Sequence, residues 1–193
     1  MKILSVSALI LFAVFSRPAL ADVSLQQPSL VNASAPSDAS AEWQKRSQAT
    51  ATWMWLDIYK ATLFTQTGFK ESKLLADDEP LKLELCYLKP IGRDDLVKGA
   101  EAVLDKNLAD VLKQNVTSLH NNYVDVKPGD CYVLEYAPQT GTQLKLNDKL
   151  AFATTQKGFK SVYFGIWLGQ NPLSDNLKEE LLKPLEKSSD QTS

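Results

Sequence analysis

The 193 residues carry 21 Lys and Arg against 23 Asp and Glu, a formal net charge of −2, and 44% of them are hydrophobic. Charges so evenly interspersed leave no basic stripe of the kind a phosphate backbone needs, which excludes nucleic acid as the expected partner. The length and apolar share suit one domain with a core of its own.

The chain opens MKILSVSALILFAVFSRPALA, in which Lys2 precedes an apolar run that ends at Ala19-Leu20-Ala21, small residues at the positions a signal peptidase reads. A cleavable export signal is therefore expected over residues 1–21. The run is short for a bilayer span and is broken at Ser16-Arg17-Pro18, so no integral membrane segment is expected after cleavage. The expected location is the bacterial periplasm. A eukaryotic secretory route is the alternative, with Asn32 and Asn115 as glycosylation acceptors. Residues 22–42, rich in Ser, Ala, Pro and Gln without a sustained period, read as a flexible leader, residues 43–187 as the folded domain, and residues 188–193 as a disordered tail.

Residues 50–65, TATWMWLDIYKATLFT, carry apolar side chains at both parities and predict one long strand covered on both faces, with Trp53, Trp55, Tyr59 and Leu63 sharing one of them. LKLELCYL (81–88) alternates cleanly, and so does CYVLEYA (131–137). Both Cys86 and Cys131 fall on the more polar face of their strands. They form a disulfide if those strands are neighbours and stay separate thiols if they are not. Between them, Asp94-Asp95 start a helix carrying Leu96, Ala100, Val103 and Leu104, where two carboxylates suit the N-terminal dipole. Leu108, Val111, Leu112 and Leu119 continue as a second helical segment, and VKPGD turns into the Cys131 strand. Asn147-Asp148, residues tolerant of positive φ, predict a hairpin over 143–155.

Phe159, Val162, Tyr163, Ile166 and Trp167 then recur at spacings of three and four, with Phe164 and Leu168 adding bulk outside the stripe. That helix is expected to be buried nearly all round. Gly165 is expected where a neighbour approaches its backbone, so that valine there would overpack. Gly169 and Asn171-Pro172 stop it, Ser174 or Asp175 caps the next, and Leu177, Leu181, Leu182 and Leu185 form a buried stripe. The order is α+β, with a mostly antiparallel sheet and helices laid on one side.

IYKATLF, LELCYLKPI running into RDDL, VKPGD, the NDK hairpin and FGIWLGQNPLSDNLKEELL, in this order, resemble the chalcone isomerase-like family, and in particular its exported bacterial branch. The resemblance implies an α+β open-faced β-sandwich, a large antiparallel sheet backed by helices, with a cleft between them. Plant members use that cleft to cyclise chalcones or to hold fatty acids. The plant isomerases place an Arg near the start of the long strand and a Thr further along it. They add a Tyr and an Asn on the following helix and a late hydroxyl residue. Here Arg46 matches the Arg loosely, Thr50 or Thr52 being the alternatives, and Tyr59 stands near the Thr position. Arg93 through Ala100 supply neither the Tyr nor the Asn. The acid, base and orienting groups of the isomerase are therefore unmatched.

His120 is the sole histidine, and without a second one or an organised Cys set no metal site and no cofactor are expected. No nucleophile elbow surrounds any Ser. Trp53, Trp55, Tyr59, Tyr87, Tyr132, Tyr136, Tyr163 and Trp167 read either as plain core or as the lining of a ligand cleft. Arg46 is the candidate carboxylate anchor. The expected function is a periplasmic, non-catalytic binding module that holds a small apolar or fatty-acid-like ligand between sheet and helices. A protein-interaction module with a closed core, and an enzyme of unknown reaction in the same cleft, stand as alternatives.

Overall fold

The computed structural model describes residues 42–183, so the expected export signal, all but the last residue of the leader, the tail, Asn32 and Leu185 lie outside the described residues. Six strands form one sheet in chain order: β1 (Gln44–Trp53), β2 (Leu56–Thr65), β3 (Leu81–Tyr87), β4 (Cys131–Ala137), β5 (Gly141–Leu146) and β6 (Lys149–Thr154). Every neighbouring pair is antiparallel. Helices α1 (Arg93–Glu101) and α2 (Asp110–Asn121) follow β3, and α3 (Phe159–Leu168) and α4 (Asp175–Leu182) follow β6.

The register explains the layering. Leu63 faces Leu83, Leu83 faces Leu134, and Leu134 faces Leu144, so one side of the sheet is a continuous apolar surface. All four of these leucines are buried. The opposite side carries Thr62, Glu84, Val133 and Lys145 in the same ladder. Period-two alternation thus assigns one face to the core and leaves the other polar. Helix α4 packs on β1 and β2, α3 on β5, and α2 on β6. The Ser47 hydroxyl ties β1 to α4 by donating to the Leu181 carbonyl.

The expected single strand over 50–65 is instead a hairpin. Trp53 pairs with Leu56, and the two residues between them, Met54 (φ 44°) and Trp55 (φ 60°), take the left-handed backbone of a two-residue turn. Such a turn normally uses Gly, Asn or Asp, because a side chain there costs about 1–2 kcal/mol per residue. Apolar residues at both parities reflected an aromatic turn, not a strand covered on both faces. A second two-residue turn, at Asn147 and Asp148, has positive φ at both residues and the side chains such a turn favours.

Cys86 and Cys131 are directly opposite one another on β3 and β4 and are joined, with Cα atoms 4.1 Å apart and sulfurs 2.08 Å apart. The bridge lies on the face of the sheet away from the helices.

Helix α3 is the centre of the core. Phe159, Tyr163, Phe164, Ile166, Trp167 and Leu168 are all buried, and so is Lys160, with no exposed surface. The Lys160 ammonium donates to the carbonyls of Ala76 (2.7 Å) and Glu79 (2.5 Å) and stands over the Tyr136 ring. The Tyr136 hydroxyl donates to the Asp77 carbonyl, and the Asp77 carboxylate accepts from the Gly158 N–H. Residues 76–79 are thereby pinned to the start of α3. Burial pushes the Lys160 ammonium down to about 8, against the opposing pull of Glu79, Asp77 and Asp78. Between that value and its ordinary one near 10.5 the unfolded chain holds a proton that the folded chain has released, so stability rises with pH through this window. Thermal melts should show wild type gaining on the order of 1–2 kcal/mol from about pH 7.5 to about pH 9.5, and Lys160→Met losing that gain.

Gly165 corrects an expectation. A methyl group built on it meets nothing within 4 Å, because it faces a groove of about 310 Å³ bordered by Leu75, Val103 and Leu108. No neighbour crowds the helix there. Gly165→Ala should therefore stabilise the fold by about 0.5–1 kcal/mol through helix propensity, read as a higher melting temperature.

Candidate functional site

A pocket of about 150 Å³ opens between the sheet and helices α1 and α3. Strand β2 supplies Ile58 and Tyr59, and β3 supplies Tyr87, which the register sets beside Tyr59 with ring centroids 5.7 Å apart. Helix α1 contributes Leu96, Gly99 and Ala100, and α3 contributes Ile166 and Trp167. Tyr123, just beyond α2, packs edge-on against Tyr132 and closes the inner wall. Leu173 and Asp95 also line the pocket.

The walls are largely apolar, and their polar groups are the phenols of Tyr59, Tyr87 and Tyr123, the Trp167 Nε1–H and the Asp95 carboxylate. Trp167 Nε1–H donates to the Tyr59 hydroxyl (3.1 Å), which keeps its own proton to give. Tyr163 donates to the Tyr123 hydroxyl (2.9 Å) from behind the wall, and Tyr132 accepts from the Val124 N–H. No hydrogen bond among the described residues engages the Tyr87 hydroxyl, on a side chain that lines the pocket. Burial raises the pKa of Tyr59, Tyr87, Tyr123 and Tyr163, so these hydroxyls stay protonated and act as donors. Asp95 is the remaining titratable group of the lining, and it pairs with Lys98 at 3.6 Å.

The structure brings together Tyr59, Tyr87 and Trp167 of the residues predicted to hold a ligand. Tyr163 stands one layer deeper, stacked on Phe159 and bonded to Tyr123. Trp53 and Trp55 do not belong: the β1–β2 turn carries them past the end of the sheet into solvent. Arg46 does not belong either. Ser47 pairs with Leu63, whereas Tyr59 pairs with Ala51, which places Arg46 roughly 15 Å along the ladder from the pocket. Its guanidinium is taken by Glu71 (2.7 Å) and lies over Phe69.

Tyr132 and Tyr136 are buried on the core face of β4, the latter committed to Lys160 and Asp77. Asp94 and Asp95 occupy the first turn of α1, as the dipole reading expects. His120 is buried and stacked on Tyr123, with burial lowering its pKa. Among the described residues, no three of His, Cys, Asp and Glu gather where they could hold a metal ion.

Sequence reasoning passed over Tyr123, Ala100 and Gly99. In NNYVDVKPGD the tyrosine sits outside any period and gives no signal. The two small residues of α1 could have been found, because they leave room on the face of that helix that carries Leu96.

The family model described as chalcone isomerase-like matches residues 46–183. An uncharacterized protein of Haemophilus influenzae is 27% identical over 144 residues, which cover 74% of this chain and 69% of that protein. Among solved structures, the fatty-acid binding protein AtFAP1 of Arabidopsis thaliana superposes with a TM-score of 0.50 at 13% identity, over 72% of this chain and 83% of that one. At such identity the likeness is one of fold: an antiparallel sheet with its helices on one face.

Proposed function

The chain belongs to the chalcone isomerase-like family, and from that premise we propose that its pocket holds a small apolar ligand without transforming it. The observation that carries this reading is the Tyr87 hydroxyl, a donor that makes no hydrogen bond among the described residues, on a side chain that lines a largely apolar pocket beside Tyr59. A ligand with one acceptor oxygen would satisfy it, and the aromatic walls would take the rest. Chemistry on the ligand finds little support. The lining has no His, Lys, Arg or Cys, its one carboxylate, Asp95, is paired with Lys98, and its phenols are held in the protonated form. The helix positions at which the plant isomerases carry Tyr and Asn hold neither here.

Size narrows the class. A cavity of about 150 Å³ takes something near the size of benzene. A ring with a carbonyl or hydroxyl group, or a short acyl group, fits it as it stands. A long acyl chain requires the rim at Leu173 to open. That AtFAP1 is a fatty-acid binding protein agrees with an apolar ligand. The expected export signal supports a periplasmic setting for this role. Mass spectrometry of molecules extracted from the natively purified protein should find a small apolar compound in stoichiometric amount. An empty protein that also binds nothing from a panel of phenols, aryl ketones and graded fatty acids would defeat the reading.

A further inference from the structure

The tip of the β1–β2 hairpin exposes four consecutive apolar side chains: Trp53 (67%), Met54 (57%), Trp55 (84%) and Leu56 (45%). We propose that this tip docks the protein on a lipid bilayer, wedging Trp53, Met54, Trp55 and Leu56 into the boundary between headgroups and acyl chains.

The choice of residues is the first argument. Among the described residues, two two-residue turns have positive φ at both positions, and one uses Asn147-Asp148 while the other uses Met54-Trp55. The first pair is what the backbone prefers and water accepts. The second is opposed by the backbone and by water alike, which points to a use for the side chains themselves. Shape is the second argument. The group projects on a turn rather than lining a groove, and a fluid bilayer yields around a convex wedge without needing a complementary surface. Tryptophan, with an apolar ring and one N–H, is the residue of the membrane interface, and methionine adapts to irregular packing.

Charge sets the depth. No ionised group lies between Trp53 and Leu56, and the first one met, Asp57, is held at the base of the tip by the Thr52 hydroxyl (2.9 Å). Insertion to that level takes no charge into the hydrocarbon, and it matches the roughly 5–10 Å penetration of interfacial elements.

The position of the pocket favours a bilayer over a protein partner, and this step rests on the ligand-binding reading above. Ile58, two residues beyond Leu56, lines the pocket, and so does Leu173, itself 40% exposed. A docked tip would set that rim roughly 7 Å from the lipid along β2, so that an apolar molecule dissolved in the bilayer could enter with little exposure to water.

The test uses the full chain carrying Trp43→Phe and Trp167→Phe, which leaves Trp53 and Trp55 as the fluorophores. Vesicles of phosphatidylcholine and phosphatidylglycerol with brominated acyl chains should shift the emission to the blue and quench it. In the otherwise wild-type chain, Met54→Asn with Trp55→Gly restores a preferred turn and should lower vesicle partitioning at least tenfold while the melting temperature holds or rises. Ala100→Leu, which fills the pocket, should leave the quenching unchanged. Emission unquenched by bromolipid overturns the proposal, including the case in which it shifts to the blue because the tip buries itself in a second protein or another copy of the chain. No ligand binding by the wild-type chain, with quenching intact, would remove only the pocket reading. Ligand binding by the wild-type chain with no quenching would remove only the docking surface.

Discussion

Replacing Cys86 and Cys131 together by serine is expected to lower stability by about 4 kcal/mol at most, and to lower the melting temperature by about 10 °C. The two cysteines are 45 residues apart in sequence, and the bridge closes a loop that contains α1, α2 and the VKPGD turn. Its effect is exerted largely on the unfolded chain, whose freedom it restricts. Wild-type protein melted in the presence of a reductant should approach the double variant. Because the bridge lies on the open face of the sheet, ligand binding by the oxidised and reduced proteins should be equal at a temperature where both are folded. A stability difference of less than about 1 kcal/mol would show that the β3–β4 pair holds its own loop without the covalent link.

Tyr163→Ala should have the other large effect, about 3–5 kcal/mol. Tyr163 is fully buried, stacks on Phe159, meets Trp167 edge-on and lies against His120. Truncation removes the ring that joins α3 to the end of α2, and it leaves the Tyr123 hydroxyl without the partner it has at 2.9 Å. Tyr163→Phe separates the two contributions. It keeps the packing and removes only the hydrogen bond, so it should cost about 1 kcal/mol. Chemical denaturation of both variants checks this, the expected signature being an unchanged slope with midpoints shifted in that ratio. Equal losses would place the hydrogen bond, not the packing, at the centre of the core.

Much of the fold was legible because its signals are local. Alternation in LKLELCYL and CYVLEYA placed β3 and β4 and the parity of their cysteines. Asn147-Asp148 marked a turn by chemistry, and spacings of three and four placed α3. Where a signal was missing, the reading failed for a physical reason. Met54 and Trp55 turn the chain with none of the residues that announce a turn, so two strands looked like one. Gly165 was read as a site of close approach, yet it lies beside open space, since a helical glycine looks the same in sequence whether its neighbour is near or absent.

The pocket was less legible, because it is made by register. Tyr59 meets Tyr87 only because β2 and β3 pair at that offset, and the same offset carries Arg46 away from them. Lys160 illustrates the same limit from the polar side. It stands three and four residues before Tyr163 and Phe164, and its burial depends on carbonyls of Ala76 and Glu79 that are remote in sequence.

Calorimetric titration of wild type, Tyr87→Phe and Ala100→Leu with small phenols, aryl ketones and graded fatty acids tests the central claim most directly. Wild type should bind at least one of these, and Tyr87→Phe should bind it about 3- to 10-fold more weakly through loss of a neutral hydrogen bond. Ala100→Leu should not bind it at all while still folding, as checked by its melt, because the added side chain occupies a pocket of about 150 Å³. Binding that is undiminished in both variants, or no binding to wild type, would contradict the account.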